Sequence, residues 1–169
     1  MYLQPFGAVR TVTGSVHLLE VNGKKVLLDC GLYQGHRDDA YQKNKNFPFP
    51  ITDIDAVILS HAHIDHTGNL PTLVQQGYKG PVYATFATRD LCTSMLQDTA
   101  QLQEKETDHI NYKRDKKKLP HIQPLYVMAD VMHTLQLFRG IGFDSPYQVF
   151  PGIELIYRKA GHILGAAMM

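Results

Sequence analysis

Short apolar runs alternate with turn residues over the first thirty positions, and three β-type segments stand out, at residues 2–9, 15–21 and 25–29. Asn22-Gly23 joins the second to the third. Both residue types tolerate positive φ, so a two-residue hairpin is predicted there. Residues 31–50 are rich in Gly, Asn, Asp and Pro and read as an irregular surface excursion. Ala56-Val57-Ile58-Leu59 is a continuous apolar run of strand length, the pattern of a strand buried in a sheet. A polar cluster at 60–67 follows, then a helix over 69–76 closed by Gly77, then a short strand over 82–84. Thr88 is placed to cap a long helix in which Leu91, Met95, Leu96, Thr99 and Leu102 keep helical spacing. Residues 113–118 read as a basic linker. Asp130 is placed to cap one more helix, with Val131, Leu135 and Phe138 on one face. Strands over 147–150 and 153–158 then lead to Ala160-Gly161-His162. Strands and helices alternate without an internal repeat or a visible domain boundary, which argues for one layered α/β domain.

Composition narrows the classes without changing this picture. A chain of 169 residues with 44% hydrophobic content can bury a real core, which excludes disordered and fibrous types. The formal net charge is only +1, so a polyanion binder would have to concentrate its positive charge locally. Cys30 and Cys92 form no C-x-x-C pair and no disulfide framework, as expected for a reducing compartment. The first ten residues lack a secretory core, and no stretch approaches the ~20 apolar residues of a membrane helix. The expected location is cytoplasmic, with no membrane partner.

The chemistry is concentrated in Ser60-His61-Ala62-His63-Ile64-Asp65-His66, directly after the buried strand. Zinc prefers imidazole nitrogen and carboxylate oxygen, and a hydrolytic zinc needs a position left for water. His61 and His63, two apart on extended backbone, can turn toward one point. Asp65 and His66 fall where the chain begins to coil and can face a second point nearby. Two adjacent metals would then share a water, an arrangement used in phosphodiester and amide hydrolysis. The competing reading, histidines that merely cap a helix, does not explain four titratable groups crowded at one strand end.

His162 lies between glycines just past a strand, where backbone can approach a site closely, and is taken as a further ligand. His17 reads as a packed or surface residue, and His36, His109, His121 and His133 as structural. Asp29 ends the third strand, where a carboxylate either orients a metal-bound histidine or caps a turn; the first is expected. The basic run at 113–118 reads as solvated, with contact to a phosphate backbone as the lesser alternative.

H-A-H-I-D-H after an apolar strand resembles the signature of the metallo-β-lactamase superfamily. Its flanks narrow the resemblance to the β-CASP branch of RNA-processing ribonucleases. They are residues 7–15 (Gly-Ala-Val-Arg-Thr-Val-Thr-Gly-Ser), 28–35 (Leu-Asp-Cys-Gly-Leu-Tyr-Gln-Gly) and 67–71 (Thr-Gly-Asn-Leu-Pro). Met95-Leu96-Gln97-Asp98, Gln103-Glu104 and Ala160-Gly161-His162-Ile163-Leu164-Gly165 complete the set. The resemblance implies a two-zinc ribonuclease. His61, His63 and His162 would hold one zinc, and Asp65 and His66 the other. Asp29 would act as the supporting aspartate, and Asp65 would also orient the attacking hydroxide.

Members of this branch continue with an aspartate bridging both metals, a β-CASP cap and a late histidine, whereas this sequence stops seven residues after His162. The expected fold is therefore α/β, the N-terminal half of the αββα sandwich, with a mixed sheet and helices on its outer face. Residues 1–169 are expected to form a partial domain that holds at most one zinc firmly and is inactive alone. A second copy, or a missing C-terminal segment, is expected to cover exposed sheet. The expected function is hydrolysis of RNA phosphodiesters, with RNA as partner. The alternatives are a small-molecule ester or thioester hydrolase on the same site, or an inactive fragment.

Overall fold

The computed structural model describes residues 1–169, the side chains of residues 37 and 38 excepted. Strands β1 (Tyr2–Pro5), β2 (His17–Val21) and β3 (Lys24–Leu28) pair antiparallel. Asn22 and Gly23 hold φ of 50° and 72°, so the hairpin forms at the two positions that tolerate it. Strands β4 (Ala56–Ile58), β5 (Val82–Thr85) and β6 (Phe138–Ile141) add to β3 in parallel. The result is a six-stranded mixed sheet in chain order. All residues of β4 and β5 are buried, which is why 56–59 reads as an unbroken apolar run rather than an alternating one.

Five helices follow the excursions of the chain: α1 (Arg37–Lys45), α2 (Ile64–Thr67), α3 (Leu70–Gln75), α4 (Phe86–Lys116) and α5 (Met128–Gln136). The larger core joins Leu27, Val57 and Val82 of the sheet to Leu73, Leu96 and Val131 of α3, α4 and α5, so these helices share one face. On the opposite face Val26, Ile58, Tyr83 and Ile141 form a smaller core. It is roofed by the hairpin of β7 (Tyr147–Phe150) and β8 (Ile153–Leu155) through Val149 and Leu155. Tyr157, fully buried, donates its hydroxyl to the Tyr83 carbonyl at 3.0 Å and fixes that roof. A two-stranded ribbon of β9 (Arg158–Lys159) and β10 (Ala167–Met168) closes the architecture. The mixed sheet with helices on its outer face is the arrangement expected from the sequence.

Several local expectations need correction. Residues 31–50 include α1. That helix is pinned by the buried Asn44, whose amide bonds both the N–H (2.8 Å) and the carbonyl (2.9 Å) of Tyr33. The cap of α4 is Thr85, whose Oγ1 accepts from Thr88 N at 3.2 Å; Thr88 sits inside the first turn. The buried stripe of α4 runs in steps of four through Thr88, Cys92, Leu96 and Ala100, while Leu91 and Leu102 face solvent. The basic run is not a linker at its start, because α4 continues through Lys116. Asp130 lies within α5 and reaches back to accept from Val127 N at 3.0 Å. Phe138 belongs to β6, and the strand expected over 153–158 is broken between β8 and β9.

Asp55 ties β3 to the start of β4. It accepts from Lys24 Nζ at 2.7 Å and from Lys25 N at 2.9 Å. Burial opposes its charge, but the Lys24 and Lys25 bonds outweigh it and lower its pKa. A lowered folded-state pKa gives stability that is present at neutral pH and lost as pH falls through that pKa. Asp55→Asn should therefore destabilise by about 1–2 kcal/mol at pH 7. Urea melts of both proteins should converge at pH values below the ordinary carboxylate range; an equal gap in acid would contradict this role.

Candidate metal centre

Because β3 and β4 are parallel neighbours, Asp29 and Ser60 emerge side by side at the same sheet edge. Asp29 turns the chain with φ 61° and is 4% exposed. Its carboxylate accepts from Ser60 N (2.8 Å), Ser60 Oγ (2.9 Å) and His66 Nδ1 (2.7 Å), with Ser15 Oγ at 3.4 Å. His61 and His63 follow on extended backbone, and the short helix α2 then carries Asp65 and His66. The fully buried Thr67 holds this transition by donating its hydroxyl to the carbonyls of His63 (3.0 Å) and Ala62 (3.2 Å).

His162 arrives from the far end of the chain on the loop between β9 and β10. That loop is docked at three points. The Gly165 carbonyl accepts from Thr85 Oγ1 (2.8 Å) and Thr88 Oγ1 (3.1 Å), and Ala167 N donates to the Ser60 carbonyl (2.9 Å). Gly165 has φ +82°, and a Cβ there would lie 2.6 Å from Thr88 N, so glycine is required.

The ring nitrogens of His61, His63 and His162 converge. His61 Nε2 lies 3.1 Å, and His162 Nε2 3.2 Å, from His63 Nδ1. All three nitrogens fall within 4.8 Å of one another. His63 Nδ1 carries either one proton or one lone pair and cannot serve both neighbouring ring nitrogens, whereas one cation satisfies all three rings. Zinc–nitrogen bonds of about 2.0–2.1 Å on a tetrahedron separate ligand nitrogens by about 3.3 Å. The two short separations fit that spacing, so these residues can hold a zinc-like ion.

The hydrogen bonds also set the tautomers. Ser60 Oγ gives its one proton to Asp29, so it accepts from His61 Nδ1 at 2.9 Å and leaves the His61 Nε2 lone pair facing the site. Burial and the neighbouring rings push the His61 pKa down to about 4, which keeps the imidazole in its neutral, ligating form. His66 is opposite. Burial lowers its pKa, but the hydrogen bond and charge of Asp29, with Asp65 adding to them, raise it overall. With Nδ1 committed to Asp29, His66 Nε2 points toward Asp65 Oδ2, 3.7 Å away. The His61 and His66 rings are 4.0 Å apart between centroids, so the two points are adjacent. His17 stays outside this convergence, its Nε2 3.4 Å from Ser15 Oγ.

Sequence reasoning assigned no role to Ser60 or Thr85, and it read Thr88 as a helix cap rather than an anchor of the His162 loop. Ser60→Ala should weaken zinc binding roughly 10- to 100-fold, the usual effect of losing a ligand's orienting partner. Ser60→Thr should restore most of the affinity. Competition with a chromophoric chelator reads both, and wild-type affinity in the alanine variant would show that Ser60 orients nothing.

The profile of the Metallo-beta-lactamase superfamily matches residues 9–140. The chain belongs to that superfamily. Among relatives, it is 37% identical to ribonuclease TTHA0252 of Thermus thermophilus over all of this chain and 34% of that protein. It is 40% identical to the transcription termination factor FttA of Methanothermobacter thermautotrophicus, over 98% of this chain and 24% of the factor. It is 33% identical to Integrator complex subunit 11 of Gallus gallus, over 97% of this chain and 26% of the subunit. The chain thus spans about a third or less of the length of these curated relatives. A Cronobacter sakazakii metallo-beta-lactamase superposes with a TM-score of 0.55 at 19% identity, over 97% of this chain and 52% of that one. The soil-metagenome enzyme MEM-A1 gives 0.53 at 20% identity, over 97% and 55%. The fold is therefore about half of a metallo-beta-lactamase fold, as the sequence led us to expect.

Proposed function

We propose that this chain supplies the metal-holding part of a β-CASP-type hydrolase of RNA phosphodiesters. One observation carries the reading: a three-histidine point stands beside a second point where Asp29 has turned His66 Nε2 toward Asp65. The name of a relative 37% identical along the whole chain supports RNA as the substrate class. His61, His63 and His162 hold one zinc, and Asp65 and His66 begin a second site. When bound, the ions activate a water at neutral pH and neutralise charge on the phosphoryl oxygens. Asp29, buried under its donors, stays a fixed acceptor that locks His66. Among the described residues the Asp65 carboxylate accepts no hydrogen bond from the protein, so it can receive one from the attacking water.

The same metal geometry would serve a small-molecule ester or thioester. The zinc-loaded complete protein, this chain with the rest of the fold that its relatives carry, should cleave end-labelled RNA. Turnover of an acyl thioester with RNA left intact would assign it to the other class.

Three nitrogens serve the first point, but among the described residues one nitrogen and one carboxylate serve the second. We read residues 1–169 as a partial domain that is inactive by itself. After dialysis, metal analysis of this chain should find one zinc or less; two tightly held ions would show that the second point is wrongly drawn. Apolar side chains that remain exposed near the smaller core, Tyr147 and Met168 among them, await a further segment or a second copy. We place the protein in the cytoplasm. Cys30 and Cys92 are unpaired and buried, with burial raising the Cys92 thiol to about 12, and among the described residues no helix is long and apolar enough to cross a membrane.

A further inference from the structure

The charge of this chain is nearly balanced, yet five of its 17 cationic side chains lie within residues 113–118, at the end of α4 farthest from the metal centre. Two neighbours there are committed to internal structure. Arg114 donates to the Pro120 carbonyl, and Asp115 accepts from His121 at 2.7 Å. These contacts fix the chain reversal after the helix and leave Lys113, Lys116, Lys117 and Lys118 exposed. Among the described residues none of these four lysines forms an ion pair. Complementing the helix dipole accounts for charge in the last turn only. Lys117 and Lys118 lie beyond it. Tyr112 is 60% exposed one turn earlier, with Lys116 Nζ 4.3 Å from its ring centroid. Lysines around an exposed aromatic face form the combination that holds single-stranded nucleic acid, phosphates on the cations and a base on the ring.

We infer that the tip of α4 is an anchoring site for single-stranded RNA, separate from the metal centre; this rests on the RNA reading above. The N-cap of α4 holds the His162 loop, and its 31 residues at about 1.5 Å each put the tip about 46 Å further along the helix axis. Between them the helix exposes Asp98, Glu106 and Asp108, which keep a polyanion off its flank. The anchor therefore acts on a distant part of the strand. A stacked strand advances about 3.4 Å per nucleotide, so an RNA with four nucleotides either side of the cut reaches about 14 Å and cannot touch the tip, whereas arms of 20 can.

The test uses fluorescence anisotropy of a labelled 30-nucleotide RNA with the metal-free chain, which separates binding from cleavage. A variant carrying Lys113→Gln, Lys116→Gln, Lys117→Gln and Lys118→Gln should bind at least tenfold more weakly near physiological salt. Its plot of log affinity against log salt should lose about 3 units of slope, near 0.7 per phosphate contact. Tyr112→Ala should lose at least fivefold on single strands and little on duplex. Unchanged melting curves confirm intact folds. An unchanged Kd and slope in the lysine variant overturns the inference, as does equal binding and equal loss on phosphatidylserine vesicles. In the complete zinc-loaded protein, the lysine variant should cleave the long RNA more slowly and the eight-nucleotide RNA at the wild-type rate. If the variant binds and cuts long RNA normally, the anchor is wrong and the ribonuclease reading stands. If the tip binds RNA and no RNA is cut, the reading fails and the anchor stands.

Discussion

Asp65→Ala should leave the complete protein folded and lower its RNA cleavage by roughly 10³-fold or more, equivalent to about 4 kcal/mol of barrier. The fold should survive because the part of Asp65 that supports structure is its backbone. The Asp65 carbonyl accepts from Ser15 N at 2.8 Å, and alanine keeps that bond. The side chain is a quarter exposed, lies 3.7 Å from His66 Nε2, and among the described residues accepts no protein hydrogen bond. What is lost is a ligand of the second metal together with the acceptor that holds the attacking water. Circular dichroism should match wild type while the labelled RNA stays whole. Full cleavage by this variant would remove Asp65 from the mechanism.

A methyl group at Gly31 should be as damaging by a different route. Its Cβ would lie 1.6 Å from the Asp65 carbonyl oxygen and 2.7 Å from His66 N. Neither strand of the contact can yield, because three backbone bonds rivet it: Cys30 N to the His66 carbonyl (2.8 Å), Leu32 N to the Ile64 carbonyl (3.0 Å) and Gly31 N to the Ser15 carbonyl (2.9 Å). Gly31→Ala must push α2 outward, carrying Asp65 and His66 with it. We expect a loss of about 3 kcal/mol or more in stability, in the range of severe overpacking, and weaker metal retention. Gly142 is the control, since a Cβ there meets nothing within 4 Å, and Gly142→Ala should change stability by about 0.5 kcal/mol or less. Denaturant melts and zinc content measured on both variants decide the matter. Equal stability of the two would show that the approach of residue 31 to α2 is not constrained.

The legible parts of the molecule were those whose cause is local. His61, His63, Asp65 and His66 share one strand end, and their spacing alone sorts them toward two points. The run 56–59 reads as buried because the helices cover one face of β4 and the β7–β8 hairpin covers the other. Long-range causes were not legible. Ser60 looks like one more polar residue until the parallel pairing of β3 and β4 sets it against Asp29, 31 positions earlier. Thr88 looks like a helix cap, and Thr85 like one more polar residue, until the loop from 80 positions after Thr85 lays Gly165 across both. The buried stripe of α4 is built from threonine, cysteine and alanine beside a single leucine, so the apolar pattern found Leu96 and the adjoining Met95 but also drew attention to Leu91 and Leu102, which face solvent. The helix α1 hides in a stretch of turn-forming residues because tertiary bonds of Asn44, not propensity, hold it.

The metal point joins His63 to a residue 99 positions away. A cation there works as a clasp on a loop of that size, and closing such a loop restricts the unfolded chain in the manner of a crosslink, in principle by about 4–5 kcal/mol. During synthesis the clasp cannot fasten early. His61 and His63 leave the ribosome long before His162, so the nascent sheet must stand on its two cores alone until the last loop docks on the threonines of α4. Metal capture then marks the completion of this part of the fold rather than its beginning.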